Sequence, residues 1–125
     1  MTNLLDLAAT VLALKTIDGA KLPAIKKGFL PPTPDACIGL FEYAAAPPEH
    51  SFGGTDIIQG LQVRSRALDA ATAHQNAQAC AKALNRYQDN EISILQSTAV
   101  LDIGRDNANP ARQEYTVNFT VRRLK

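Results

Sequence analysis

Few side chains in this sequence have the chemistry of a reactive centre, and their spacing decides what they can do. The two histidines are His50 and His74. A hydrolytic dyad needs a nucleophile facing a base that a third group orients, and sequence neighbours such as His50 and Ser51 point apart. His50 is therefore read as a solvated or capping loop residue. His74 falls on the polar side of a helix with Gln75 and Gln78, and is read as exposed. Cys37 and Cys80 lie far apart with no further ligand at metal spacing. Both are read as small buried apolar residues, since an extracellular disulfide framework needs more cysteines. Asp102, Asp106, Asn107 and Asn109 form an acid–amide cluster without the fixed frame and closing Glu of an EF-hand, so turn formation accounts for them. Gly53-Gly54 is followed by no Lys-Ser or Lys-Thr and makes no phosphate cradle. No pair of acids stands out for general acid–base work. The expectation is a non-enzyme with no catalytic residues, no cofactor and no metal.

The arginines are the other charged feature. Arg64, Arg66 and Arg122 fall on the polar faces of expected strands, while Arg105, Arg112, Arg123 and Lys125 gather near the last hairpin. A guanidinium on a strand can meet phosphate, or a carboxylate across a subunit contact. A solvated sheet face is the plain alternative. The strands offer no interleaved aromatic platform for base stacking, because Tyr115 and Phe119 fall on the apolar side. With 13 basic and 12 acidic residues the formal net charge is +1, which argues against bulk attraction to nucleic acid or anionic membrane.

These residues must be positioned by elements that the patterning outlines. A length of 125 residues, 46% of them hydrophobic, suits one domain over 1–125. Residues 3–17 have apolar residues at three- and four-residue spacing, with Thr2 or Asn3 to cap the start and Gly19 to stop the helix. The apolar run 4–14 is interrupted by Asp6, is too short to cross a bilayer and lacks a basic leader, so the chain reads as cytosolic where it is made. Residues 20–34 form a proline-rich connector with one short strand near Ile25. Residues 36–44 read as a buried strand and 45–60 as a long loop. Residues 61–67 alternate, with Leu61, Val63 and Ala67 opposite Gln62, Arg64 and Arg66. Asp69 caps a second helix reaching to about Tyr87 on a stripe of Ala70, Ala73, Ala77, Ala81 and Leu84. Residues 92–95 and 97–103 are strand-like, as one strand bent by a bulge near Gln96. A polar turn covers 104–113. Tyr115, Val117, Phe119 and Val121 then alternate with Thr116, Asn118, Thr120 and Arg122 in the clearest strand.

The order α-β-β-α-β-β predicts an α+β domain: a mostly antiparallel, mixed sheet of about four strands with both helices packed on one face. If any pair is parallel, the crossover through the second helix is the natural one.

A set of segments carries a family resemblance. It comprises 34–43 (Pro-Asp-Ala-Cys-Ile-Gly-Leu-Phe-Glu-Tyr), 47–54 (Pro-Pro-Glu-His-Ser-Phe-Gly-Gly) and 60–67 (Gly-Leu-Gln-Val-Arg-Ser-Arg-Ala). Leu95-Gln96-Ser97, Ile103-Gly104-Arg105-Asp106 and 115–121 follow. In this order they resemble bacteriophage minor capsid proteins grouped with tail terminators, over about residues 34–123; before residue 34 no motif matches. The resemblance implies a structural virion protein at the head–tail junction, assembled in the host cytoplasm. It would form a homo-oligomeric ring, expected to be a hexamer, that caps the head-proximal end of the tail tube. It would also join head-completion (stopper) proteins of the neck and connector, with genomic DNA passing through its centre. The candidate subunit-interface or lumen residues are then Glu42, Arg64, Arg66, Arg105, Arg112 and Arg122. Pro47, Pro48, His50 and Phe52 are the candidate contact loop. A head-completion or stopper protein is the neighbouring alternative, and a nucleic-acid-binding α+β module is the alternative of a different class.

Overall fold

Asn3 opens the fold as expected of a cap: its Oδ1 accepts from the amides of Leu5 at 2.9 Å and Asp6 at 3.2 Å. In the computed structural model, which describes residues 3–13, 16–17, 20–32, 34–44, 49–51, 54–105 and 112–124, helix α1 spans Leu4–Ala13 and buries Leu4, Ala8 and Leu12. It does not continue to Ile17. The β-branched Thr16 and Ile17 instead form β1 (Thr16–Ile17), paired antiparallel with β2 (Ala20–Lys21). Gly19, the expected stop, lies outside the described residues. The short strand near Ile25 is β3 (Ala24–Lys27), and the buried strand is β4 (Cys37–Ala44).

The expected loop 45–60 is corrected. It contains β5 (Glu49–Ser51) and the first half of β6, a 14-residue strand over Gly54–Ala67. The glycines and prolines that suggested a loop were outweighed by pairing partners. From Asp56 onward the backbone of β6 finds a complete ladder along the last strand, Asp56 opposite Leu124 through to Ala67 opposite Gln113.

Helix α2 covers Ala70–Leu84, with Asp69 in an extended N-cap conformation accepting from the Ala71 amide at 3.4 Å and the Thr72 hydroxyl at 3.0 Å. It stops short of Tyr87 because Arg86 takes a left-handed φ of 67° and its amide turns to the Ile94 carbonyl. Beyond it are β7 (Ile92–Gln96), β8 (Leu101–Arg105) and β9 (Gln113–Leu124). Both β7 and β8 pair with β9, as halves of one bent strand would. At the bend the Asn118 carbonyl accepts from the amides of Ser97 and Thr98, and its own amide donates to the Thr98 hydroxyl. The register shifts by two residues between Gln96 and Leu101, close to the expected bulge, and by one more between Asp102 and Gly104.

The main sheet has seven strands among the described residues, in the order β3-β4-β6-β9-β7, with β5 also on β6 and β8 also on β9. The α+β class and the mostly antiparallel, mixed sheet agree with the sequence; about four strands in two pairs does not. β6 and β7 run in the same direction through α2, but β9 is inserted between them. The hydrogen-bonded parallel pair is β3–β4, joined by the proline-rich connector. Period-two alternation sends Ile38, Leu40, Leu61, Val63, Val117, Phe119, Val121, Ile92 and Ile94 to the side where Leu4, Ala8 and Leu12 of α1 meet Cys80, Ala81 and Leu84 of α2. Both helices therefore pack on one face.

Both cysteines are free and buried. Burial pushes the Cys80 thiol up to about 12 and also raises Cys37, against the partial offset of Arg66 and Lys26. Thiolate is the reacting species, so neither should react with iodoacetamide at pH 8 until urea unfolds the chain, when both should react together. Rapid labelling of the native protein would contradict this packing.

Candidate assembly surface

The face of the sheet away from the helices carries the polar side of each strand. Phe41, Gln62 and Asn118 stand side by side on β4, β6 and β9. In one direction the next row is Gly39, Arg64 and Thr116; in the other it is Tyr43, Gly60, Thr120 and Leu95. Arg122 follows between Ile58 and Ser93. The Arg64 guanidinium carbon sits 5.7 Å from the centre of the Phe41 ring, within cation–π range. Its Nε is shielded from solvent without a hydrogen-bond partner. The Thr116 hydroxyl is absorbed by the Val63 carbonyl at 3.1 Å.

Gly60 is required by its neighbour. A β-carbon there would lie 2.2 Å from Tyr43 Cε2, so the aromatic ring covers bare backbone. Gly60→Ala should displace the ring and cost about 1 kcal/mol by urea denaturation. With Tyr43→Ala already present the same change should cost little, and additive losses would refute the contact.

At one end of this face the proline-rich connector crosses the sheet. Pro31, Pro32 and Pro34 have no amide hydrogen, so the segment cannot pair as a strand and its carbonyls need other donors. Arginine supplies them. Arg66, 3% exposed, donates through Nη2 to the Pro31 carbonyl at 2.5 Å and the Pro34 carbonyl at 2.7 Å, and through Nε to the Asp35 carbonyl at 3.1 Å. Arg112, 4% exposed, donates to the Pro32 carbonyl at 2.6 Å and stands 3.5 Å from the Asp35 carboxylate. Leu30, in the same segment, lies over Gly39, where a β-carbon would come within 2.9 Å of its Cγ.

The structure thus divides the sequence candidates. Arg64 and Arg122 share the open face, with Arg122 exposed. Arg66 belongs to that face by register, yet it and Arg112 are buried in the chain and brought together around the connector. Glu42 is exposed on β4 opposite Leu61, on the helix side by alternation, and Arg105 is exposed at the end of β8. Pro47, Pro48 and Phe52 lie outside the described residues; His50 is placed in β5 by its backbone alone. Sequence reasoning missed Tyr43 with Gly60, and Asp35; the signal for the latter was the run of prolines around it, whose carbonyls need donors from outside the segment. His74 is not simply solvated: its ring meets Tyr115 edge-on at 5.1 Å between centroids. Asp89 accepts from the amides of Glu91 and Ile92, at 2.8 and 2.9 Å, which holds its carboxyl below the usual range. Among the described residues no group of three or more His, Cys, Asp or Glu could hold a metal ion, and no helix is long and apolar enough to cross a membrane.

Fold and surface define a small α+β module with an open sheet face that carries Phe41, Tyr43, Arg64 and Arg122. Residues 13–125 match the family model described as bacteriophage tail terminator protein. The chain belongs to that family and is a phage tail structural protein. Among solved structures, a chain from the virion of a native gene transfer agent particle shares the fold, with a TM-score of 0.69 at 14% identity, covering 98% of this chain and 95% of that one. No curated protein matches the chain.

Proposed function

We propose that this chain caps the head-proximal end of the tail tube and joins it to the head-completion proteins. It acts as a closed homo-oligomeric ring, expected to be a hexamer, with genomic DNA passing through the centre without sequence readout. The observation that carries this reading is the terminator-family match across almost the whole chain. A surface of strand edges and arginines gives it physical support. A ring subunit must present two different surfaces that fit each other and close by rotation. Glu42, Arg64, Arg105 and Arg122 are the side chains proposed to face a neighbour or the lumen. Arg66 and Arg112 serve the same end indirectly, by fixing the connector. The mature location is then the head–tail junction of the virion, after assembly in the host cytoplasm.

The reading is tested by adding purified chain to polymerising tail-tube protein. Elongation is expected to stop, with the chain bound at one end of each tube. Unchanged tube lengths at saturating chain would overturn it.

A further inference from the structure

Strand edges are hazards that folded proteins cover unless they are used, and this chain treats its edges unequally. The outer edge of β7 is closed by the chain itself. The Ile92 carbonyl accepts from Asp89, the Ile94 amide donates to Tyr87, and the Ile94 carbonyl accepts from Arg86. The Gln96 amide donates to Asn85 Oδ1 at 2.9 Å. β3 is only four residues long and carries Lys26 and Lys27, the short charged pattern that discourages pairing.

Two edges have no such cover among the described residues. Among the described residues β8 has one strand neighbour, β9. It exposes Leu101 and Ile103, at 48% and 42%. Ile103 is the extra residue of the bulge between Asp102 and Gly104, a device that re-aims a side chain. The second open edge is the end of β4. β3 accompanies β4 as far as Leu40, whose carbonyl accepts from Gly28. From Phe41 to Ala44 the described residues place a strand on one side alone, β6.

We infer that β8 of one copy pairs with the Phe41–Ala44 end of β4 of the next copy, making the subunit joint of the ring. This rests on the ring reading above and specifies which edges form it. The two edges lie on opposite sides of one sheet and differ from each other, as head-to-tail closure requires. Direction also follows from the topology. β4, β6, β9 and β8 alternate in sense, so a neighbour related by rotation about an axis to which the strands are tilted presents β4 antiparallel to β8. Charge fixes the register: Arg105 at the end of β8 comes opposite the exposed Glu42, which sets Ile103 against Ala44 at the end of β4. Within one copy Leu101 lies level with Gly39, across Thr116 and Arg64, whereas the joint staggers the strands, so a closed ring must tilt them to its axis as a barrel does.

The test uses full-length chains and tube ends. Because the native cysteines are buried, Glu42→Cys and Arg105→Cys chains mixed under mild oxidation should give a covalent dimer that neither gives alone. Ile103→Lys should melt within a few degrees of the parent, yet lose at least tenfold in assembly on tube ends. A parent that forms rings while the mixture gives no cross-link, or a lysine variant that assembles like the parent, overturns the edge pairing and leaves the ring standing. A parent that forms no closed oligomer on tube ends overturns both.

Discussion

Arg66→Ala is expected to destabilise the fold by about 3 kcal/mol, because one guanidinium satisfies three carbonyls of a segment that has no other way to pair. The side chain is almost fully buried, so its removal leaves acceptors facing a void. The proline carbonyls were desolvated on the strength of that charge, and hydrogen bonds to charged groups are the strong ones. Arg66→Lys should recover a minor part, since an ammonium is a compact charge and cannot span the geometry of the fork. The loss should appear as a midpoint shift in urea denaturation, and as faster proteolysis of the connector at concentrations of urea where the parent resists. An Arg66→Ala chain as stable as the parent would show that the clamp contributes nothing. The exposed pair of Lys27 with Asp6, at 52% and 57% side-chain exposure, is the useful contrast. Breaking it should cost well under ~1 kcal/mol.

Phe119→Ala is the second large effect, at about 3–5 kcal/mol. Phe119 is fully buried on the central strand, opposite Leu61 on one side and Gln96 on the other, within the cluster that holds both helices. Truncation removes a ring where the sheet cannot collapse to fill the space, since β9 is fixed by ladders on both flanks. A domain of this size has a total stability of ~5–15 kcal/mol, so much of it should vanish. Phe119→Leu should cost distinctly less. Thermal melts of the two variants check the ranking; equal melting temperatures for Phe119→Ala and the parent would place the core elsewhere.

Residues that obey a local rule were readable in the sequence. The alternation from Tyr115 to Arg122, the caps Asn3 and Asp69 and the alanine stripe of α2 each encode their environment within a few residues, and the α+β class follows from them. The first half of β6 was hidden because Gly53, Gly54 and Gly60 signal a loop locally, while the reason for a strand lies in β9, far along the chain. The open face was half-legible. Periodicity put Arg64, Arg66 and Arg122 on one side of the sheet, and register agrees. It could not tell that Arg66 is buried, because that depends on the path of the connector over the sheet, which no spacing in β6 records. Nor could it tell that β7 has a covered edge and β8 an open one, since the cover comes from a left-handed turn at Arg86.

The proposed role, ending tail growth and linking tail to head, is read most directly in the length of tails made without this chain. Electron micrographs of lysates from a phage with this gene silenced should show overlong tails separate from filled heads. Complementation with the parent chain should restore joined tails of uniform length. Virions with normal necks and tails of ordinary length in its absence would contradict the account.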